Sequence, residues 1–361
     1  MEFVDNQETG FVAKIKEFSR AHPLFIYSLK RIGSACITIL LAVTITFLLL
    51  RTLDPAKIYG PYINKYPIEM RPIIQQQVLE RMGLDLPIFE QLIRYYYQII
   101  PIIPKSVCMR FELLETGLSC AEYQLKLIDF GTSFLYAKEV PISNIISSAM
   151  PWSFTVGALS LILQFGIGYP LGIFMAKYKD KWFDRFGNIY IVVVSSIPTL
   201  VYYFFIYYLF LGFGVEPAFD SSNPGSWLPV VLALGLMGST GTAMWVRRFM
   251  VDELNADYVK FARAKGLPDN QIVFKHVLRN AVVPIVRTIP LAIAYTLLGA
   301  YFAETVFSVP GIGKLLITAI QMQDNALVQA LVLIFAGIST IAYLVGDIVT
   351  VLFDPRISLT E

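Results

Sequence analysis

Histidine, cysteine and charge are all scarce in this chain. It has two histidines, His22 and His276, and three cysteines, Cys36, Cys108 and Cys120, among 361 residues. None of these residues has the spacing of a zinc site, so no metal is expected. Asp, Glu, Lys and Arg make up 16% of the chain, against roughly 25% in soluble proteins. The formal net charge is only +2, and no nucleic-acid partner is expected. A Gly-x-x-x-x-Gly-Lys-Ser/Thr loop is also missing. Gly311-Ile-Gly-Lys314 lacks its leading Gly and its following hydroxyl residue, so ATP cannot be held by that route. The apolar runs contain no cluster of nucleophile, base or metal residues, which argues against a membrane enzyme. Asp347 is the one carboxylate clearly inside such a run, fewer than a proton-coupled carrier uses.

Apolar residues are abundant. They form 56% of the chain, and the mean hydropathy is +0.60. A bilayer core needs about 20 apolar residues in a helix. Six runs approach that length: 32–50, 152–175, 189–211, 227–245, 283–302 and 327–353. The fold class expected is therefore an all-α membrane protein with about six spanning helices. Met1–Gly10 is polar and acidic, so no cleavable signal peptide is expected. Basic residues gather before the first run (Lys14, Lys16, Arg20, Lys30, Arg31), after the second (Lys177, Lys179, Lys181, Arg185) and after the fourth (Arg247, Arg248, Lys260, Arg263, Lys265). The positive-inside rule then puts both termini in the cytoplasm.

Residues 52–151 would lie outside. Helical periodicity is expected over Ile68–Arg81 and Pro87–Ile100. Cys108 and Cys120 share this segment; they either form a disulfide or remain free thiols. Cys36 sits inside the first run as a small apolar residue. Ser239, Thr240 and Thr242 either line a pathway or allow tight helix packing. Arg287 and Asp347 are costly in lipid; they form a candidate intramembrane ion pair, or Arg287 snorkels to the interface. Glu304, near the outer end of the fifth run, is a candidate external gate or receptor contact, or a simple interfacial carboxylate.

The most informative stretch joins the fourth and fifth runs. Asn255 can cap a short helix, Gly266 supplies its C′ position, and Asp269 can cap a second helix. Tyr258, Phe261, Ala262 and Leu267 would give the short helix an apolar face among basic residues. That face suits either a membrane surface or a groove on a cytoplasmic partner.

Here the wording becomes recognisable. Ala262-Arg-Ala-Lys-Gly266-Leu267, followed by His276-Val-Leu-Arg-Asn280-Ala and Pro284, resembles the coupling loop of oligopeptide/dipeptide ABC importer permeases. Glu304-Thr-Val-Phe-Ser-Val-Pro-Gly-Ile-Gly313 resembles their external loop, and Asp347-Ile-Val-Thr-Val-Leu-Phe-Asp-Pro-Arg356 their C-terminal end. Asp129-Phe-Gly-Thr-Ser-Phe134 and Met82-Gly-Leu-Asp-Leu-Pro87 are similar to further motifs of the same group.

The resemblance implies a type I ABC importer transmembrane fold in a bacterial inner membrane. It divides the chain into a cytoplasmic arm (1–31), a first spanning helix (32–50), an extracytoplasmic segment (52–151), a five-helix core (152–353) with a coupling loop at 246–282, and a cytoplasmic C-terminus (354–361). It implies a transport subunit that is not itself an enzyme and binds no cofactor, with ATP and Mg2+ on partner subunits. The partners implied are a second homologous permease, two cytoplasmic ATPases, an extracytoplasmic substrate-binding protein, membrane lipid and a peptide substrate. Nickel or another small solute is the alternative cargo. Tyr258, Phe261, Ala262, Ala264, Lys265, Gly266 and Leu267 are the implied ATPase contacts.

Overall fold

The computed structural model describes residues 23–114, 117–286 and 288–353. Uncharged apolar runs become long helices because backbone groups in lipid must bond within their own segment. These helices are α1 (Pro23–Arg51), α5 (Ile142–Lys177), α8 (Trp227–Leu254) and α14 (Asn325–Phe353). Among the described residues, five helical stretches are long and apolar enough to cross a membrane, and six if one bent pair counts as a single span.

Several expected boundaries move. The first helix begins at Pro23, inside the stretch read as an arm, because Lys30 and Arg31 end the apolar window without breaking the helix. The third run is not one straight span. It splits into α6 (Trp182–Ser196) and α7 (Thr199–Gly212), bent by 104°. Pro198 lies in the break; it removes a donor and pushes Ile197 into extended backbone. The fifth run is broken too. It comprises α11 (Thr288–Leu297) and α12 (Tyr301–Val306), with Gly299 at φ +75° between them. A single turn at Asp269–Gln271 and a π-helical stretch at Ile272–Val277 lead into α10 (Leu278–Val286). Helix α9 (Asp257–Ala264) precedes them, and α13 (Ile312–Gln321) follows α12.

The segment between α1 and α5 has its own core. Helices α2 (Pro55–Ile63), α3 (Arg71–Arg81) and α4 (Ile88–Ile99) are followed by an antiparallel hairpin, β1 (Lys105–Leu114) and β2 (Gly117–Lys126). This hairpin was not expected, although Val107, Met109, Phe111 and Leu113 alternate with polar neighbours; its pairing shifts register around Arg110. The sulfurs of Cys108 and Cys120 are bonded across it. Tyr59, Tyr62, Ile74 and Val78 pack with Leu118 and Phe134. A second small ladder, β3 (Thr132–Ser133) with β4 (Val140–Pro141), leads into α5.

Asp324 fastens this segment to the bundle. Its Oδ2 accepts hydrogen bonds from the Ser133 hydroxyl at 2.6 Å and from the Leu135 and Tyr136 backbone N–H groups, each at 3.1 Å. Its Oδ1 accepts from Leu327 N–H at 3.2 Å, capping α14. Helix α14 packs on α1, α11 and α13, while α5 packs along α8. Small residues set that last approach. A Cβ on Gly168 or Gly172 would come within 2.6 Å of Thr242 Cβ or the Ala243 carbonyl oxygen, respectively.

One buried ion pair joins α6 to α8. Arg247 donates through Nε to Asp184 Oδ1 at 2.6 Å and through Nη2 to Oδ2 at 2.7 Å. Asp184 also accepts from Asp180 N–H at 3.0 Å and from the Asn188 amide at 3.1 Å. Asp184 is buried but the Arg247 side chain is 26% exposed, so removing one partner costs less than the roughly 3–5 kcal/mol of a fully buried pair. Asp184→Ala is therefore expected to lower the thermal unfolding midpoint of the purified protein, followed by tryptophan fluorescence in detergent. An unchanged midpoint would show that the pair contributes nothing to stability.

Candidate coupling loop and the Glu304 clamp

Helix α9 is a knob whose two faces have different tasks. Ala256 holds the N-cap position in extended backbone and Asp257 lies in the first turn. Asn255, expected as the cap, instead ends α8, its side-chain amide donating to the Val251 carbonyl at 3.0 Å. At the other end Leu267 N–H reaches the Ala262 carbonyl at 3.2 Å and Gly266 N–H the Arg263 carbonyl at 2.9 Å. This is a Schellman closure, and it requires the φ of +78° that Gly266 supplies. Asp269 is not a cap either. Pro268 takes that place, and Asp269 faces Arg263 at 3.7 Å.

The apolar face expected on this helix divides. Val259 and Ala262 are buried with Val246, Met250, Ile272, Val273 and Val277, and Tyr258 and Leu267 pack against that cluster. The Tyr258 hydroxyl donates to Glu253 at 2.6 Å. Burial, then the bond to Glu253, push its phenol up to about 12, so it stays a donor at neutral pH. Phe261 points away and is 69% exposed. Lys260, Ala264, Lys265 and Gly266 are exposed with it. Ala262, expected among the contact residues, is buried at 8% exposure and packs beneath the helix instead of on its exposed face.

Other expected positions also change. Ser239 is 0% and Thr240 4% exposed. Ser239 shares a hydrogen bond with the Tyr190 hydroxyl at 2.8 Å, and Thr242 accepts from the Gln164 amide at 3.0 Å. Ser239 and Thr240 are packed between helices and line no opening here. Asp347 lies 3.3 Å from Arg31 of α1; Arg287, expected as its partner, lies outside the described residues.

Glu304 is buried in this structure, not an exposed interfacial carboxylate. It is 2% exposed, because its own loop folds around it. Ser153 of α5 donates its hydroxyl to Oε1 at 2.6 Å and accepts from Ile312 N–H at 2.8 Å. Lys314 N–H donates to Oε2 at 2.7 Å. The N–H groups that begin α13 thus meet the Ser153 hydroxyl and the Glu304 carboxyl group instead of being left without a partner. Gly299 and Gly311 make room, since a Cβ on either would collide with the Glu304 carboxyl group. The Gly311-Ile-Gly-Lys314 wording is satisfied by this contact.

The Glu304 loop and α9 are built by the stretch that comparison with known proteins picks out. The family model for the inner membrane component of binding-protein-dependent transport systems matches residues 168–359. The chain belongs to that family. It is similar to the oligopeptide transport system permease protein AmiC of Streptococcus pneumoniae, at 40% identity over 61% of this chain and 44% of AmiC. The chain thus spans less than half of that relative's length. It is also similar to the dipeptide transport system permease protein DppB of Lactococcus lactis, at 29% identity over 92% of this chain and 99% of DppB. The glutathione transport system permease protein GsiC of Salmonella paratyphi A is 29% identical over 92% and 98% of the two chains.

Asp184, Ser153 and Asp324 were not singled out from the sequence, and Arg247 entered only as one of the basic residues beside the fourth run. Asp324 carries a usable signal, being an Asp just ahead of a long apolar run. Ser153 carries none.

Leaving a buried hydrogen-bonding group without its partner costs about 1–3 kcal/mol. Glu304→Ala would strand Ser153 and the α13 N–H groups, and Gly311→Val would drive a side chain into the carboxylate. Both are expected to lower the unfolding midpoint. Gly241→Ala, where an added Cβ meets nothing within 4 Å, is expected to leave it unchanged. Equal midpoints for all three variants would refute the clamp.

Proposed function

We propose that this chain is one permease subunit of an ATP-driven importer of small peptides, forming half of a translocation pathway with a second homologous permease. Two cytoplasmic ATPases supply the energy and an extracytoplasmic binding protein delivers the cargo. The basic residues beside the helix ends favour a cytoplasmic placement of α9 and of both termini. The relatives named for oligopeptides, dipeptides and glutathione favour peptides over nickel as cargo.

The observation that carries this reading is the exposure of Phe261 on a helix fixed from below. A phenylalanine held in water on a rigid, basic knob is an anchor for a groove on another protein. Val259 and Ala262 join the knob to the end of α8 and to the π-helical stretch, so a push on α9 reaches the spanning helices. ATP binding would draw the two knobs together and rock the helices between two states. That transfer requires the ATPases to bind the two states with different affinity.

Phe261→Ala and Ala264→Trp alter the exposed face and leave Val259 and Ala262 in place. In a reconstituted complex both are expected to cut peptide uptake and the uptake-linked rise in ATP hydrolysis, while the unfolding midpoint of the isolated chain stays within a degree or so. Wild-type uptake by both variants would eliminate α9 as the coupling contact. Uptake of nickel but not peptide by the wild-type complex would overturn the cargo.

A further inference from the structure

A cavity of about 700 Å³ lies between α4, the β1–β2 hairpin, the end of α1 and the first turns of α14. Arg51, Arg81 and Arg94 line it, and Asp129 is the one acidic residue on its wall. Arg51 donates through Nη2 to the Met82 carbonyl at 3.0 Å, and its buried Nε has no partner. Arg81 donates through Nη2 to the Leu118 carbonyl at 2.8 Å, and its buried Nη1 has none. Neither guanidinium forms an ion pair among the described residues. Asp129 Oδ1 is engaged by Gly131 N–H. Glu139 acts on Arg81 through space, but its Oε1 already accepts from Tyr62 and Tyr66. Burial pulls the Arg81 guanidinium below its ordinary value. Arg51 lies over the Phe47 ring at 4.7 Å and Arg81 over the Phe111 ring at 4.5 Å, which offsets only part of the cost of a half-buried cation without a counterion; a guanidinium fork suits a phosphate.

The position of α4 says where that phosphate comes from. The Tyr96 hydroxyl is hydrogen-bonded to Thr44, and Tyr95 stacks on Phe47 at 5.3 Å. Thr44 and Phe47 belong to the spanning part of α1, which ends at Arg51. At about 1.5 Å rise per residue, Thr44 is about 10 Å along the span from that end. Helix α4 therefore lies beside the span at the depth of one leaflet. Its Phe89, Ile93 and Tyr97, one stripe at four-residue spacing, are exposed, Phe89 to 70%. Its Gln91, Arg94, Tyr95 and Gln98 line the cavity instead. That is the division of an interfacial helix, apolar side in hydrocarbon and polar side at headgroup level.

The geometry points to a phospholipid site in which the phosphate enters this cavity between Arg51 and Arg81 while the acyl chains run along the exposed stripe of α4. The inference needs only that the chain spans a membrane, and it is independent of the cargo. The site borders α1 and α14, away from the α5–α8 pair where Gln164 meets Thr242.

The test uses the full chain, delipidated in detergent and followed by thermal unfolding and native mass spectrometry. The probes are phosphatidylglycerol, diacylglycerol with the same acyl chains, and inorganic phosphate. Phosphatidylglycerol is expected to raise the unfolding midpoint by several degrees and to stay bound in the gas phase. Diacylglycerol and phosphate alone are expected to do neither. The double variant Arg51→Gln/Arg81→Gln should weaken phosphatidylglycerol binding by about tenfold or more, as loss of charged hydrogen bonds predicts. Arg110→Gln, on the hairpin but away from the cavity wall, should not. Equal stabilisation by diacylglycerol would overturn the role of the phosphate. Equal stabilisation by inorganic phosphate would overturn the lipid source. Undiminished binding by a folded double variant would overturn the assignment to these arginines. If that variant does not fold, the wild-type comparison of phosphatidylglycerol with diacylglycerol decides alone.

Discussion

The family-matched core is organised around a buried acidic side chain. Glu304 sits where α5, α12 and α13 converge, and its two oxygens receive the Ser153 hydroxyl and the Lys314 N–H group. In a low-dielectric interior such bonds are strong when complete and expensive when one member is missing. This explains the company the residue keeps. Gly299 turns the chain at positive φ, Gly311 leaves space for the side chain, and Ser153 bridges to Ile312. A helix that breaks at Gly299 and restarts at Tyr301 would otherwise leave its ends unsatisfied in the bundle.

Two further polar contacts carry that order outward. The Asp184–Arg247 pair locks α6 to α8 just ahead of the turn into α9. The Asp324 contacts lock the β3 region to the start of α14. Between them the packing is made by small residues such as Gly168 and Gly172, which bring α5 close against α8. A knob with Val259 and Ala262 buried beneath it can then move only with the end of α8 and the helical run that follows.

Much of this was legible in the residues. Long uncharged runs marked α1, α5, α8 and α14 because nothing but a helix satisfies its backbone in lipid. Gly266 marked the end of α9 correctly, since its closure needs a left-handed residue. Other features were hidden because they depend on partners distant in sequence. Glu304 looked like a surface carboxylate until Ser153, 151 residues earlier, was brought beside it. Ala262 looked like a contact because a helix of eight residues does not say which of its sides meets the cluster under it. Pro198 was visible, yet a proline alone does not give a bend of 104°. The hairpin was missed although Val107, Met109, Phe111 and Leu113 alternate with Ser106, Cys108, Arg110 and Glu112, a strand period that was available in the residues.

The reach of Asp324 has a consequence for how the protein is made. Ser133 and Asp324 are 191 residues apart. Closing so long a loop is slow and entropically costly, and it must wait for the later partner to emerge from synthesis. The Asp324 contact to the turn after β3 therefore cannot form until nearly all of the core ahead of α14 has been synthesised. The anchoring of the segment ahead of α5 thus depends on a residue at the start of the last helix, and the two ends of the core are tied by one carboxylate.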